Sequence, residues 1–362
     1  MEEKTSFFKE LKRHARAHLM TVAFLGGFVI DNLTLNRVDQ LFDNLILLWY
    51  IVLAMFSIVL LYAGVADHFG ERTSAWLRTW MPVVMQYAFG GLLSGMLIFY
   101  GRSGSLFESW PFLILILGVI YGNETIKSRH THLVYNLTIF FVGLFAYVVL
   151  VIPVLTGKMG AVVFALSGLL ALIIMSIFFK MVEYVVPHFV QIHKRNVIFI
   201  IGLVYLVLNG LYFANVIPPI PLSMKHVGIY HNVVKVNESY KLTYEKPVWW
   251  EWYRKSDSTI HVDAGNSVYC FASVFAPSRL NTKIYHRWEY YDVSKKEWVQ
   301  HARMAYDIAG GRGEGYRGYT SIGNFREGEW RCVVETERGQ VIGQESFSIV
   351  LGTPDVLVSR IE

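Results

Sequence analysis

The chain has 362 residues, of which 54% are hydrophobic and 17% are charged. This composition is more apolar than that of an ordinary soluble protein of similar length, so it indicates a membrane protein with two or three domains. The net charge of +5 is small, and the Lys and Arg residues are spread along the chain, which argues against a nucleic-acid-binding protein.

The first 18 residues are basic, with five Lys and Arg residues: Lys4, Lys9, Lys12, Arg13 and Arg16. A secretory signal peptide begins in a similar way, but no convincing small-residue cleavage site follows here. We therefore expect residues 1–18 to be a retained, cytoplasmic N-terminus.

Seven apolar stretches predict a bundle of membrane-spanning helices across residues 19–217. About 20 apolar residues are needed to cross a hydrocarbon core of about 30 Å. Asp31 and Asn32 interrupt the first stretch and the fourth is short, so hydropathy alone leaves six or seven spans open. The stretches are Leu19–Leu35, Leu45–Val65, Trp80–Tyr100, Trp110–Tyr121, Leu133–Leu155, Ala161–Phe179 and Val197–Val216.

The charges between these stretches favour seven spans. With the N-terminus inside, the inner segments carry twelve Lys and Arg residues, and the outer loops before Pro221 carry three, Arg37, Arg102 and Lys158. Without the first span the counts are eight and seven, which is no bias. The positive-inside rule therefore predicts seven spans and places the residues after Pro221 outside.

Three acidic residues are candidates for an intramembrane polar site: Asp31, Glu108 and Glu183. An ionisable group inside a span costs about 2.5–3.5 kcal/mol on insertion scales, so it often marks a polar path or a partner. Asp31 is the strongest candidate because it interrupts an apolar stretch. The alternative is that Asp31 lies at the outer headgroup level beside Asn32.

The last apolar stretch ends at Pro218, Pro219 and Pro221. Proline cannot continue a helix because it lacks an N–H and its φ angle is fixed. We therefore predict a proline-rich connector at residues 218–226 and a separate domain at residues 227–362.

The periodicity changes in this second domain. Its segments are rich in β-branched and aromatic residues, and glycines separate them, as in short strands. At positions 330–335, Trp330, Cys332 and Val334 alternate with residues of a wetter face. Seven to nine such strands predict an all-β antiparallel sandwich. The clearest segments are Ser267–Phe275, Lys283–Tyr291, Trp330–Glu335 and Val341–Val350.

Four strand sequences resemble, in order, the bacterial family DUF2914, a domain of unknown function: VYCFASV, IYHRWEYY, GYRGYTS and GEWRCVVETERGQVIGQESFSI. The resemblance covers residues 268–350. It implies a β-sandwich-like module that is often attached to a membrane segment, and it implies no activity and no catalytic residues. The helical region resembles no family.

The chain has two cysteines, Cys270 and Cys332, with Trp288 between them. This order matches the immunoglobulin fold, in which a disulfide joins the two sheets beside a buried Trp. The charge rule also places both cysteines outside, where disulfides persist. We expect either a disulfide or two buried thiols that act as small apolar core residues.

The glycine-rich run Gly310–Tyr319 lacks the Gly-Lys-Ser/Thr ending of a phosphate-binding P-loop, so we expect a hairpin or bulge there. Its arginines and tyrosines could form a shallow surface for anions or glycans, because guanidinium groups recognise carboxylates and phosphates. The alternative is a solvated loop. The residues concerned are Arg312, Tyr316, Arg317 and Tyr319.

A cluster of aromatic residues follows Lys246: Trp249, Trp250, Trp252 and Tyr253. Such rings suit the membrane–water interface because one end is apolar and the other forms hydrogen bonds. Membrane contact, core packing and a ligand platform all remain open for this cluster.

No motif indicates catalysis or a metal. His226 and His231 do not form an HExxH motif, and His286 stands alone in its strand. The chain also lacks a GxSxG nucleophile elbow. We therefore expect no metal, no cofactor and a β domain that is not an enzyme.

Two functions compete. The first is an integral protein of the bacterial inner membrane that displays a non-catalytic periplasmic β-sandwich, which binds an envelope glycan or a protein partner. The second is a small transporter, or an enzyme acting on a lipid-linked substrate, with its site among the helices and the β domain as a lid. The spans carry few charges, which disfavours the second, and Asp31 is its best support.

Overall fold

The computed structural model describes residues 26, 29–35, 39–103, 110, 114, 116–120, 132–246, 256–263, 265–277, 280–311, 313–354 and 356–362. It divides into two compact units, one composed mainly of residues up to Ile217 and one mainly of residues from Pro218 onward. We call them the helical unit and the β unit. The division falls where the prolines were expected to end the last helix.

Five helices in the described residues are long and apolar enough to cross a membrane. They are α1 (Leu41–Val65), α2 (Glu71–Ser103), α3 (Leu133–Thr156), α4 (Ala161–Val185) and α5 (Pro187–Phe213). Residues 29–34 and 116–120 are also helical and lie within the first and fourth predicted stretches. An α-helical region compatible with a membrane is therefore confirmed, and the count of seven spans stays a prediction.

Two helices extend well beyond their apolar stretches. α2 begins at Glu71 and includes Arg72 and Arg78, and α5 includes Lys194 and Arg195 before its apolar part begins. Hydropathy locates the part of a helix that suits lipid, whereas backbone hydrogen bonds continue into the polar flanks. The basic residues predicted for inner loops therefore lie partly on helix ends.

Small residues allow α1 and α2 to approach each other closely. A Cβ atom at Gly91 would lie 2.3 Å from the ring of Tyr50, and one at Gly95 would lie 2.6 Å from Leu47. Glycine at such contacts is typical of helices that pack in membranes, because backbones can then come near each other.

The β unit contains eleven strands in its described residues, which is more than the seven to nine predicted. They are β1 (Ser223–Tyr230), β2 (Asn232–Val236), β3 (Ser239–Glu245), β4 (Thr259–Val262), β5 (Val268–Phe275), β6 (Asn281–Asp292), β7 (Glu297–Ala309), β8 (Tyr316–Ile322), β9 (Gly328–Thr336), β10 (Val341–Leu351) and β11 (Leu357–Ile361). β1 begins at Ser223, inside the stretch 218–226 that was predicted to be a connector.

The strands form three sheets. One has five strands in the order β4-β10-β9-β6-β7, one has the order β1-β5-β8, and one has the order β11-β3-β2. Neighbouring strands are antiparallel except β4 and β10, which are parallel. The prediction of a purely antiparallel domain is therefore wrong in this detail, because the short edge strand β4 runs parallel to β10.

The sheet β1-β5-β8 lies in the middle of the β unit. One of its faces shares a buried core with the five-stranded sheet, including Cys270, Trp288 and Phe347. The other face packs against β2 and β3 through Phe271 and Leu242. Successive residues of a strand point to opposite faces, so adjacent Cys270 and Phe271 belong to different cores.

Candidate functional site

Cys270 and Cys332 form a disulfide that joins the middle sheet to the five-stranded sheet. Their Cα atoms are 6.5 Å apart, within the range of roughly 4.4–6.8 Å that disulfides adopt. Trp288 is fully buried and lies opposite Cys332 on the neighbouring strand β6. The three residues named by the sequence pattern therefore meet in one core.

A hydrogen-bonded network lies beside this disulfide. Trp288 Nε1 donates to Thr320 Oγ1 over 2.9 Å, and His286 Nδ1 lies 3.0 Å from the same oxygen. His286 Nε2 lies 3.1 Å from the hydroxyl of Tyr306. If Thr320 donates its hydroxyl proton to Nδ1, His286 carries its proton on Nε2. Burial lowers the pKa of His286 to about 3, so the ring is neutral near pH 7.

The side chains of Cys270, His286 and Cys332 are also close enough to hold a metal ion, since one ligand atom of each lies within 4.8 Å of the others. The disulfide uses both sulfur atoms, and a metal would need them as thiolates. In the oxidised protein this group is therefore a structural core.

Some of the charged residues on the outer face of the five-stranded sheet form a connected group that we call the arginine–glutamate ladder: Arg287, Glu289, Arg303, Arg331 and Glu335. Arg287 Nε and Arg303 Nε donate to the two carboxylate oxygens of Glu335 over 2.9 and 2.8 Å. Arg287 and Arg331 both donate to Glu289. Both carboxylates are buried, with 5% and 3% of their side chains exposed, whereas the arginine side chains are 22–31% exposed.

Aromatic rings support the arginines of the ladder. The guanidinium carbon of Arg303 lies 3.9 Å from the ring centre of Tyr285, and that of Arg331 lies 4.5 Å from the ring centre of Trp298. The sequence pattern predicted a mostly wet strand face at Arg331, Val333 and Glu335. This prediction is wrong for Val333 and Glu335, which are buried, and it did not include the ladder. The available signal was the alternation of Arg287 with Glu289 and of Arg331 with Glu335.

The residues of the predicted anion or glycan surface do not all lie on one face of β8. Arg317 and Tyr319 share one face of β8, whereas Tyr316 belongs to the opposite face because side chains alternate along a strand. The ring of Tyr319 lies 6.1 Å from the rings of both Tyr240 and Tyr269, which sequence reasoning did not include. Arg312 lies outside the described residues. A ligand at this surface stays a prediction.

Several other candidates also lie outside the described residues. They are the four aromatic residues Trp249, Trp250, Trp252 and Tyr253, the acidic residue Glu108 and the basic segment 1–18. Glu183 is described, and its carboxylate accepts a hydrogen bond from Lys194 Nζ over 2.8 Å. This ion pair joins α4 to α5.

Asp31 is fully buried within the helical unit. The hydroxyl of Tyr50 donates to Asp31 Oδ1 over 2.8 Å, and the hydroxyl of Ser94 donates to Oδ2. These partners come from α1 and α2. Two hydroxyl donors therefore surround a buried carboxylate, and both the intramembrane and the headgroup positions of Asp31 stay predictions.

A second polar cluster lies in the β unit where the turn between β1 and β2 meets the end of β3. It contains His231, Glu245, Asp257 and His261. Burial lowers the pKa of His231 and raises the pKa of Asp257 to about 8. Burial also acts to raise the pKa of Glu245, but hydrogen bonds from His261 and His231 outweigh it and the net shift is downward.

Comparison with known proteins identifies part of the β unit. Residues 281–349 match the family described as protein of unknown function (DUF2914). The resemblance to DUF2914 is confirmed. The matched residues include the whole arginine–glutamate ladder and Cys332, whereas Cys270 precedes them.

The other comparisons carry no argument about function. None of the curated proteins matches the chain. The Pseudomonas fluorescens alkylpurine DNA glycosylase AlkC bound to DNA containing an abasic site analog aligns with 87% of this chain and 100% of its own. The identity is 11% and the TM-score is 0.23, which is too low to indicate a shared fold.

Proposed function

We propose that this protein is an integral protein of the bacterial inner membrane with seven spans, and that its β unit binds an anionic envelope polymer in the periplasm. The apolar helices support the membrane location, and the twelve-to-three distribution of basic residues supports the orientation. The disulfide supports the same orientation, because disulfides persist in oxidising compartments and are rare in the cytosol.

We also propose that the core of the β unit is an immunoglobulin-like sandwich without catalytic activity. In that fold one cysteine of the bridge lies in one sheet, and the other lies in the second sheet near the buried Trp. Cys270, Cys332 and Trp288 have this arrangement, and Trp288 pairs with Cys332 across β6 and β9. The sheet β11-β3-β2 is an addition to that arrangement.

The arginine–glutamate ladder is the main support for the proposal that the β unit binds an anionic polymer. The three arginines and two carboxylates of the ladder together carry a charge of +1. Guanidinium groups bind carboxylates and phosphates through a planar fork. Here the carboxylates and the rings of Tyr285 and Trp298 already hold these groups in place, so binding costs less side-chain entropy than it would for free arginines.

Cosedimentation with an insoluble anionic polymer tests the proposal. The full-length protein in nanodiscs is mixed with peptidoglycan sacculi, whose peptides carry carboxylates, and the bound fraction is measured after centrifugation. We expect Arg303→Gln to weaken binding about tenfold, because a hydrogen bond to a charged group contributes about 1.5–3 kcal/mol. Binding should also fall as the salt concentration rises.

Arg326→Gln is the matched control. Arg326 also stacks on an aromatic ring, with its guanidinium carbon 3.4 Å from the ring centre of Tyr290, but it is not part of the ladder. It should bind the sacculi as the wild type does. Equal loss in both variants, or no sedimentation of the wild type, would reject the ladder as the binding surface, and a protein that co-purifies instead would indicate a protein partner.

Asp31 favours a second candidate, a transporter or an enzyme that acts on a lipid-linked substrate among the helices. Its carboxylate is buried among apolar helices and accepts hydrogen bonds from two hydroxyl groups. Such helices carry few charges, so a buried carboxylate often marks a functional polar site. Native mass spectrometry after mild detergent extraction tests it. A bound lipid-linked molecule present in the wild type and in Glu183→Gln, but lost in Asp31→Asn, would favour this function over display of the β unit.

A further inference from the structure

The cluster of His231, Glu245, Asp257 and His261 has the composition of a metal site. His231 Nε2 lies 3.0 Å from Glu245 Oε1 and 3.9 Å from Asp257 Oδ2. The side chains of His231 and Glu245 are each 11% exposed, and that of Asp257 is 1% exposed. One ring nitrogen therefore faces two buried carboxylates.

Only one of the two carboxylate oxygens of Asp257 accepts a hydrogen bond among the residues that the structure describes. Its Oδ1 accepts a hydrogen bond from the backbone N–H of Glu245 over 2.7 Å. Its Oδ2 is buried and has no hydrogen-bond partner among the residues that the structure describes. Leaving a buried polar atom unpaired is unfavourable, and more so if the group is charged. A cation at Oδ2 would remove this cost.

We propose that His231 Nε2, the carboxylate of Glu245 and Asp257 Oδ2 bind a divalent metal ion of the zinc type. Zinc bonds of about 2.0–2.2 Å in tetrahedral geometry place neighbouring ligand atoms about 3.4 Å apart. The two distances from His231 Nε2, 3.0 and 3.9 Å, lie on either side of that value. An imidazole ligand favours zinc and its neighbours over magnesium or calcium, which prefer oxygen alone.

His261 acts as a positioning residue for this site. Its ring Nδ1 lies 2.9 Å from Glu245 Oε2, and its backbone N–H donates to Glu245 Oε1 over 2.6 Å. Hydrogen bonds of this kind orient a carboxylate ligand and tune its affinity for the metal. Three protein ligands leave a fourth zinc position for water or a small ligand.

The ligand atoms of this cluster are farther apart than those of Cys270, His286 and Cys332. The ligand atoms of His231, Glu245 and Asp257 do not all lie within 4.8 Å of one another. Binding of a metal is therefore expected to draw Glu245 and Asp257 together. The tighter group cannot bind zinc while its two cysteines are oxidised.

Zinc binding by the full-length protein in detergent tests the proposal. After equilibrium dialysis against Zn²⁺, elemental analysis should find one zinc ion per wild-type chain. Asp257→Asn and His231→Gln should each lose it, and His261→Gln should weaken binding about 10–100-fold, the usual effect of removing a group that orients a metal ligand. His301→Gln, which changes an exposed histidine of β7, is the matched control and should bind zinc normally.

X-ray absorption at the zinc edge of the wild type identifies the ligands without any substitution. A shell of nitrogen and oxygen supports the proposal, whereas sulfur in the shell would assign the metal to the cysteine group and overturn it. A wild type that binds no zinc, or folded Asp257→Asn and His231→Gln variants that bind as the wild type does, would overturn it as well. Unfolding midpoints without zinc show which variants are folded, and the wild-type spectrum decides if neither variant folds.

Discussion

The two units of this protein treat their large apolar side chains in opposite ways. In the helical unit, Phe56, Phe199 and Leu206 are 59–69% exposed, although each lies in the middle of a long apolar helix. In the β unit, Trp288 and Trp330 are at most 1% exposed. The same class of residue therefore lies outside in one unit and inside in the other.

The difference follows from the solvent that each unit requires. A helix satisfies its own backbone hydrogen bonds, so in lipid it can leave apolar side chains on its surface without cost. A sheet in water must cover one face with another layer, and the β unit does so on both faces of its middle sheet. We therefore expect the helical unit to depend on a bilayer and the β unit to depend on its own core.

The largest expected effect concerns the side of the membrane on which the β unit lies. Alkaline phosphatase fused after Glu362 should be active, and a green fluorescent protein fused there should be dark, because the distribution of basic residues favours a C-terminus outside. Enzyme activities and fluorescence of the two fusions in cells measure this. A bright fluorescent fusion with an inactive phosphatase would show that the number of spans is even.

The second prediction separates the two units. The β unit, expressed from Pro221 onward into the periplasm, should fold alone, since its described strands enclose two buried clusters. Circular dichroism should show β structure, and denaturant should unfold it in one cooperative transition. A disordered or aggregated product would mean that its core needs the helical unit.

The third prediction concerns the disulfide, which stabilises only the β unit because both cysteines lie there. Replacing both Cys270 and Cys332 with Ala should lower the free energy of unfolding by about 2–5 kcal/mol, through a less restricted unfolded chain and lost packing. Urea unfolding of the β unit measures the change. Gln300→Ala, at an exposed position of β7, should change it by less than about 0.5 kcal/mol. A double variant as stable as this control would contradict the prediction.

The smallest predicted effect is a pH dependence caused by His286. Its pKa is about 3 in the folded protein and about 6.5 in the unfolded chain, so between these values the unfolded chain binds one proton more. The free energy of unfolding should therefore fall by about 1.4 kcal/mol per pH unit as the pH decreases below 6.5, with no contribution from His286 above it.

Urea unfolding of the β unit at several pH values between 7 and 5 measures this slope. Over that range few carboxylates titrate, so the comparison of wild type with His286→Gln isolates the histidine. The variant should be less stable at pH 7 and should show a flatter dependence on pH. Equal slopes in the two proteins would mean that His286 takes up a proton in the folded state as readily as in the unfolded chain.

Features that depend on local pattern were predicted well. A run of about 20 apolar residues is sufficient to form a helix in lipid, and such runs located α1, α3 and α4 within a few residues. Alternation with period two located β5, β6, β9 and β10 in the same way. The order of Cys270, Trp288 and Cys332 was also sufficient to predict which residues meet in the core.

Features that depend on pairing between distant residues were not predicted. β2, β3 and β11 were not identified from the sequence because a short strand in a third layer has little alternation of its own. The ladder joins Arg287 to Glu335, 48 positions later. The proposed metal site brings His231 near Asp257 through a turn, a strand end and a loop.

The amino-acid sequence by itself determined the division into long apolar helices and alternating strands, because hydropathy and periodicity act within a few neighbouring residues. Only the tertiary structure decided which carboxylate lies beside which arginine or histidine. Those contacts are set by the register of strands and the packing of sheets, and a strand shifted by one residue would turn Glu289 and Glu335 to the opposite face.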